Sequence, residues 1–168
     1  MKWLVVVWLL TAGVGASYSI VAERKEKLNQ LTDMEHSLRR LAYYMYQWRL
    51  PIKEVISFAA KEEKELLQTF YVELKEVLEQ QKTEDFSVLW REVGERWFKN
   101  VPEEMQILWM ESFEHIPTES EALYRHLSER AQRMKDYTKA LQEKYKGEQR
   151  LVFTMGFFVS AFFCLLFL

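Results

Sequence analysis

The chain has 168 residues with a formal net charge of −2, which is room for one ordinary domain. Both signs of charge are interspersed, and without a basic face there is no electrostatic footprint for nucleic acid. A single cysteine, Cys164, excludes an intramolecular disulfide, and its setting in an apolar run reads as a packed or lipid-facing thiol.

The first element is an uncharged stretch at 3–22, long enough as a helix to cross the roughly 30 Å hydrocarbon core of a bilayer. Lys2 precedes it, and Val14-Gly15-Ala16 offers small residues where a signal peptidase could cut. Apolar residues continue past that point to Ala22, however, and Arg24, Lys25 and Lys27 follow at once. Positive charge is retained in the cytoplasm, so an uncleaved anchor with a cytoplasmic middle segment is the expectation.

Leu31, Met34, Leu38, Leu41, Met45 and Trp48 then recur at alternating spacings of three and four, an a/d seam along one helix face. Asp33, Glu35, His36, Arg39 and Arg40 fall on its solvated side. Pro51 ends this helix and opens a short one to about Ala60, because the first turn of a helix needs no proline N–H. A third helix runs from near Glu63 to Gln81, with Leu67, Phe70, Tyr71, Leu74, Val77 and Leu78 on one side. After a polar break at Lys82-Thr83-Glu84, Asp85 caps a helix carrying Phe86, Trp90, Val93 and Trp97. Val101-Pro102 starts the next, with Met105, Leu108, Trp109 and Phe113. Pro117 stops it, and Thr118 with Glu121 forms a capping box for the last long helix. On that helix Leu127, Ala131, Met134, Thr138, Leu141 and Tyr145 make a second seam.

Lys139, Lys144, Lys146 and Arg150 lead into a second uncharged stretch at 151–168, whose helix would reach about 27 Å. The expected organisation is therefore a transmembrane helix at 3–22, a soluble helical domain at 23–150 and a transmembrane helix at 151–168. The fold class is all-α, an approximately six-helix bundle whose long first and last helices pair antiparallel. Both termini lie on the side of the cell membrane opposite the soluble domain.

Chemistry-bearing patterns are sparse. His36, His115 and His126 are scattered, and Glu111 with His115, one turn apart, lacks the paired Glu-x-x-His motifs of a di-metal site. No phosphate loop, nucleophile elbow or zinc spacing occurs, so neither an enzyme nor a cofactor is expected. The aromatic run Tyr43-Tyr44-Met45-Tyr46-Gln47-Trp48 stands out at the end of the first long helix, the tip farthest from the membrane. One seam buries Tyr44, Met45 and Trp48, whereas Tyr43 and Tyr46 point to other faces. Either the short helices pack over these rings, or the rings dock a partner; Trp97, Trp109 and Phe113 pose the same choice.

Terminal apolar runs, a six-helix middle and two local matches make the chain similar to the stage III sporulation protein AB family. That family's Pro-Leu-x-Glu-Ala-Leu turn stands here as Pro51-Ile52-Lys53-Glu54-Val55-Ile56. Its Lys-Met-Tyr-Arg-Ser-Leu-Gly segment reads Arg150-Leu151-Val152-Phe153-Thr154-Met155-Gly156, keeping the basic residue and the glycine but losing the Tyr and Arg. The family's Leu-Gly-x-Ser-Asp turn is replaced by Ile116-Pro117-Thr118-Glu119-Ser120, and the acidic residues late in its first helix by the aromatic run. The resemblance implies a fold like the cytoplasmic domains of type II secretion and type IV pilus platform proteins. It further implies a non-enzymatic platform component of the channel apparatus that supports the forespore after engulfment. The implied partners are a cytoplasmic secretion-type ATPase, neighbouring channel membrane proteins and the lipid bilayer, with self-association left open.

The candidate partner-binding residues are thus Tyr43, Tyr46, Trp48, Pro51 and Glu54. Residues marking the membrane borders are Arg24, Lys25, Lys27, Lys146, Arg150 and Gly156. Two other readings share the helical pattern: a membrane-tethered scaffold or regulator unrelated to sporulation, and an exported tail-anchored binding module released by cleavage near Ala16.

Overall fold

The computed structural model describes residues 2–63, 65–80, 85–117 and 119–167, and among these no strand occurs. Six α-helices follow one another: α1 (Lys2–Gln47), α2 (Ile52–Glu62), α3 (Glu65–Gln80), α4 (Phe86–Trp97), α5 (Glu103–Met110) and α6 (Ser120–Phe167), with a 3-10 turn at Glu111–Phe113 after α5. Local chemistry sets the breaks. The Pro51 carbonyl accepts from the Glu54 and Val55 amides to start α2. Asp85 caps α4 by accepting the Ser87 amide at 3.2 Å. Pro102 does for α5 what Pro51 does for α2. The polar break at 82–84 and the Thr118 cap lie outside the described residues.

Two compact units divide the chain: Met1–Asn29 with Lys139–Leu168, and Gln30–Thr138. In the second unit four short helices close over an aromatic core. Phe70, Tyr71, Trp90, Phe98, Trp109 and Phe113 are all fully buried there. Trp90 stacks on Trp109 with centroids 4.9 Å apart and donates its indole N–H to the Trp109 carbonyl at 2.8 Å. Phe70 meets the Trp90 ring edge-on at 5.0 Å, and Phe113 tilts onto it at 4.4 Å. Leu31, Met34, Leu38, Leu41 and Met45 of α1 and Leu127, Ala131 and Met134 of α6 are buried in the same unit.

Several expectations are corrected. Trp48 continues the α1 seam in spacing but is 54% exposed, because the helix stops at Gln47 and Arg49 turns to the left-handed region at φ 52. Glu35, placed on the solvated side by spacing, is buried; Arg39 donates to its carboxylate at 2.8 Å. Of the three rings left open between core and interface, Trp109 and Phe113 are core, whereas Trp97 is half-buried and donates its N–H to Glu73. Leu141 and Tyr145 are only half-buried. They belong to the first unit, which contains no part of α2–α5, so there is less surface to cover them. In that unit Arg24 pairs with Glu148 at 3.0 Å and lies 4.9 Å over the Tyr145 ring.

The expected membrane span at 3–22 falls within α1, and that at 151–168 falls within α6 as far as Phe167. Among the described residues no helix is long and apolar enough to cross a membrane. The side chains of 3–17, most of those of 152–167, Cys164 included, and all of Leu168 lie outside the described set.

Across the second unit, Tyr71 and Ser37 share a buried hydrogen bond of 2.7 Å between their hydroxyls. Burial pushes the Tyr71 phenol far above its usual range, against the opposing pull of the Ser37 bond. A raised phenol stabilises the fold below about pH 10, where the unfolded phenol titrates, and that contribution drains away as pH rises further. Tyr71→Phe should cost about 1–3 kcal/mol at neutral pH and flatten the fall in stability above pH ~10, read by urea unfolding across pH. Leu38→Lys should cost several kcal/mol by burying an unpaired charge, and Leu141→Lys distinctly less. Equal losses at these two leucines would contradict the burial difference.

Candidate functional site

The last turn of α1 and the turn after it present aromatic rings to solvent. Tyr43 is 46% exposed and Tyr46 40%, whereas Met45 is buried and Tyr44 half-buried, so the run is covered on one side only. Trp48 folds back on Tyr44, the rings stacked at 4.7 Å and 16°, while Tyr43 meets both edge-on at 6.1 and 6.3 Å. Together Tyr43, Tyr44 and Trp48 form one shelf. Tyr46 belongs to a second contact, tilted against Tyr124 of α6 at 4.8 Å.

Polar contacts hold the shelf to the neighbouring helix. The Tyr44 hydroxyl donates to Glu62 of α2 at 2.9 Å. Partial burial raises the Tyr44 phenol above its usual range, and the Glu62 bond and charge push the same way. One turn earlier Arg40 donates to Glu63, which is nearly buried. Burial alone would lower the Arg40 guanidinium, but the Glu63 bond and charge outweigh it and hold it charged. The shelf is therefore anchored at its base and open at its top.

Pro51 and Glu54 lie near in sequence but serve other surfaces. Pro51 is exposed and lines an apolar groove of about 450 Å³ with Met45, Leu50, Ile52, Ile116 and Leu123. Glu54 is exposed in the first turn of α2, where a carboxylate suits the positive end of the helix dipole. It borders a shallow depression with Lys53, Phe58 and Lys61. Spacing overlooked Tyr124, although it stands three residues before Leu127 and extends the α6 seam by one position. Nothing in the sequence marked Arg49, a non-glycine residue at φ 52 that borders the same groove.

The remaining candidates divide between the units. Arg24 is engaged by Glu148 and Tyr145, Lys25 and Lys146 are exposed, and Lys27 is half-buried. Arg150 and Gly156 lie on α6, with their surroundings outside the described residues. Glu111 and His115 do not share a helix face: the 3-10 turn ends at Phe113, His115 has φ 51, and Glu111 accepts from Arg130 at 2.8 Å. Among the described residues no group of three or more His, Cys, Asp or Glu side chains could hold a metal ion. What the arrangement offers is a set of exposed rings held in place from beneath.

The family model of stage III sporulation protein AB matches residues 2–168. No curated protein and no solved structure gives a significant match. With the match covering the whole helical succession from α1 to α6, the chain belongs to the stage III sporulation protein AB family, and its role is associated with sporulation.

Proposed function

We propose that this chain is a non-enzymatic membrane platform component of a secretion-like channel complex that supports the forespore after engulfment, and that it docks a cytoplasmic secretion-type ATPase. The observation that carries the docking reading is the open aromatic shelf of Tyr43, Tyr44 and Trp48. Half-exposed rings held in fixed orientation gain little from the fold that presents them. They are the residue types enriched at the buried centre of protein interfaces. The resemblance to the family supplies the partner class.

The membrane reading draws on the uncharged stretches at 3–22 and 151–168 and on side chains at their borders. Leu151, Met155, Phe158 and Phe162 recur at spacings of four, three and four on α6, each at least 63% exposed. Such a row suits hydrocarbon better than water. Arg24, Lys25, Lys27 and Lys146 beside the uncharged stretches keep the second unit cytoplasmic.

Every covalent path between the two units runs through α1 at Asn29–Gln30 or α6 at Thr138–Lys139, both inside helices. A rearrangement imposed by the ATPase on the second unit would reach the first along these helices.

Tyr43→Ala with Trp48→Ala should change stability by only about 1 kcal/mol, mostly from the lost stack on Tyr44. In the native host the same pair should cut both ATPase co-purification and heat-resistant spore yield by at least about tenfold, the loss expected of one or two interface anchors. Wild-type spores with full ATPase retention in a stably folded variant would end the docking reading. Three glycines inserted between Lys146 and Gly147, where an added Cβ would meet nothing within 4 Å, should leave ATPase binding intact but lower spore yield. Normal spores after that insertion would reduce the two long helices to tethers.

A further inference from the structure

The groove beside the shelf has walls unlike those of the shelf. Met45 and Leu50 line it from the end of α1 and the turn after it, Ile52 from α2, Phe113 and Ile116 from the segment after α5, and Leu123 from α6. Its volume of about 450 Å³ is that of a natural binding pocket, and on its mainly apolar wall Ser120 is the one uncharged polar side chain, too little to orient a small molecule. One charged side chain lines it, Arg49.

Arg49 is exposed, and none of the ion pairs among the described residues includes it. Its φ of 52 is a conformation that costs a non-glycine residue free energy, and such residues cluster at binding sites. The turn thus places Arg49, which has no ion pair among the described residues, on the wall of a mainly apolar trough.

We infer that this groove receives an amphipathic helix of a partner protein whose apolar side chains fill the trough while a carboxylate beside them pairs with Arg49. The inference rests on the docking reading above and supplies the chemistry of the docked segment. Charge complementarity selects the acid, because a guanidinium at an apolar lip favours a carboxylate that can meet it with two parallel hydrogen bonds. Helical form follows from the walls. No strand edge exists among the described residues to pair with an extended peptide, and of the aromatic residues only the buried Phe113 lines the trough, where a polyproline segment would need an aromatic floor.

Photo-crosslinking in the full-length chain, in its native host, tests this. p-Benzoylphenylalanine replaces Ile116 at the groove in one strain and Tyr43 on the shelf in another, and crosslinked peptides are sequenced. The expected product at Ile116 is one partner segment of amphipathic helical pattern with Asp or Glu within a turn of its apolar stripe. Its yield should fall at least about tenfold with Arg49→Glu and stay within about twofold with Arg49→Lys. Changing the partner's carboxylate to lysine should restore the yield in the Arg49→Glu strain. Crosslinks only to copies of this chain, to lipid or to a segment without a carboxylate would overturn the inference. So would a yield indifferent to Arg49→Glu. Capture at Tyr43 with none at Ile116 would reject the groove and leave docking by the shelf. Capture at neither position would reject both.

Discussion

Trp90 lying on Trp109 is the contact on which the second unit depends. Helices of 8 to 16 residues, the lengths of α2 to α5, are marginal alone in water, since nucleation fixes several dihedrals for one hydrogen bond. They persist here because each contributes to a shared apolar centre. Trp90 stands in α4 and Trp109 in α5; Phe70 from α3 and Phe113 from the 3-10 turn complete the cluster. The indole N–H of Trp90 donates to the Trp109 carbonyl, so the stack also fixes how α4 meets the end of α5. Stacking alone tolerates rotation about the ring normal, and the hydrogen bond removes that freedom.

A second set of contacts fixes α1 against this cluster. Apolar seams leave a helix free to slide or rotate by small amounts, because leucine and methionine interdigitate in several ways. The Ser37–Tyr71 bond joins α1 to α3, and Arg40 reaches Glu63 at the end of α2. Both lie on one stretch of α1; the Ser37–Tyr71 bond and the Glu63 carboxylate are buried, where a missing partner is costly, while Arg40 reaches in from the surface. The polar contacts therefore choose one arrangement among several that hydrophobic burial would accept. Tyr44 follows Arg40 by one turn and meets Glu62, so the same side of α1 carries this ordering to the base of the aromatic shelf.

The all-helical fold was legible because its punctuation is chemically specific. Pro51, Asp85 and Pro102 each begin a helix for a nameable reason, and the three-and-four spacing picked out Leu31 to Met45 and Leu127 to Met134, all of them buried. Spacing failed where it carried no information about what lay opposite. It extended one seam to Trp48 past the end of α1, and another to Leu141 and Tyr145 in a unit without the short helices. Glu35 was assigned to solvent because periodicity does not say how wide a buried face becomes when more than one helix covers it. The shelf was legible as a cluster of ring types. Its exposure was not, since that turns on the left-handed backbone of Arg49, which no residue preference announces.

That backbone step links the fold to the exposed aromatic shelf. Had α1 continued in register, Trp48 would lie beneath the seam with Met45 and add to the core. Instead the helix ends at Gln47, Trp48 returns over Tyr44, and Pro51 starts α2, its carbonyl accepting from the Glu54 and Val55 amides. A large aromatic side chain is thereby withheld from burial, which would have contributed about 1.5–3 kcal/mol. Natural sequences keep such local conflicts mainly where function needs them. The exposed indole and the left-handed Arg49 arise from one turn of the chain, and the same turn supplies one wall of the apolar trough.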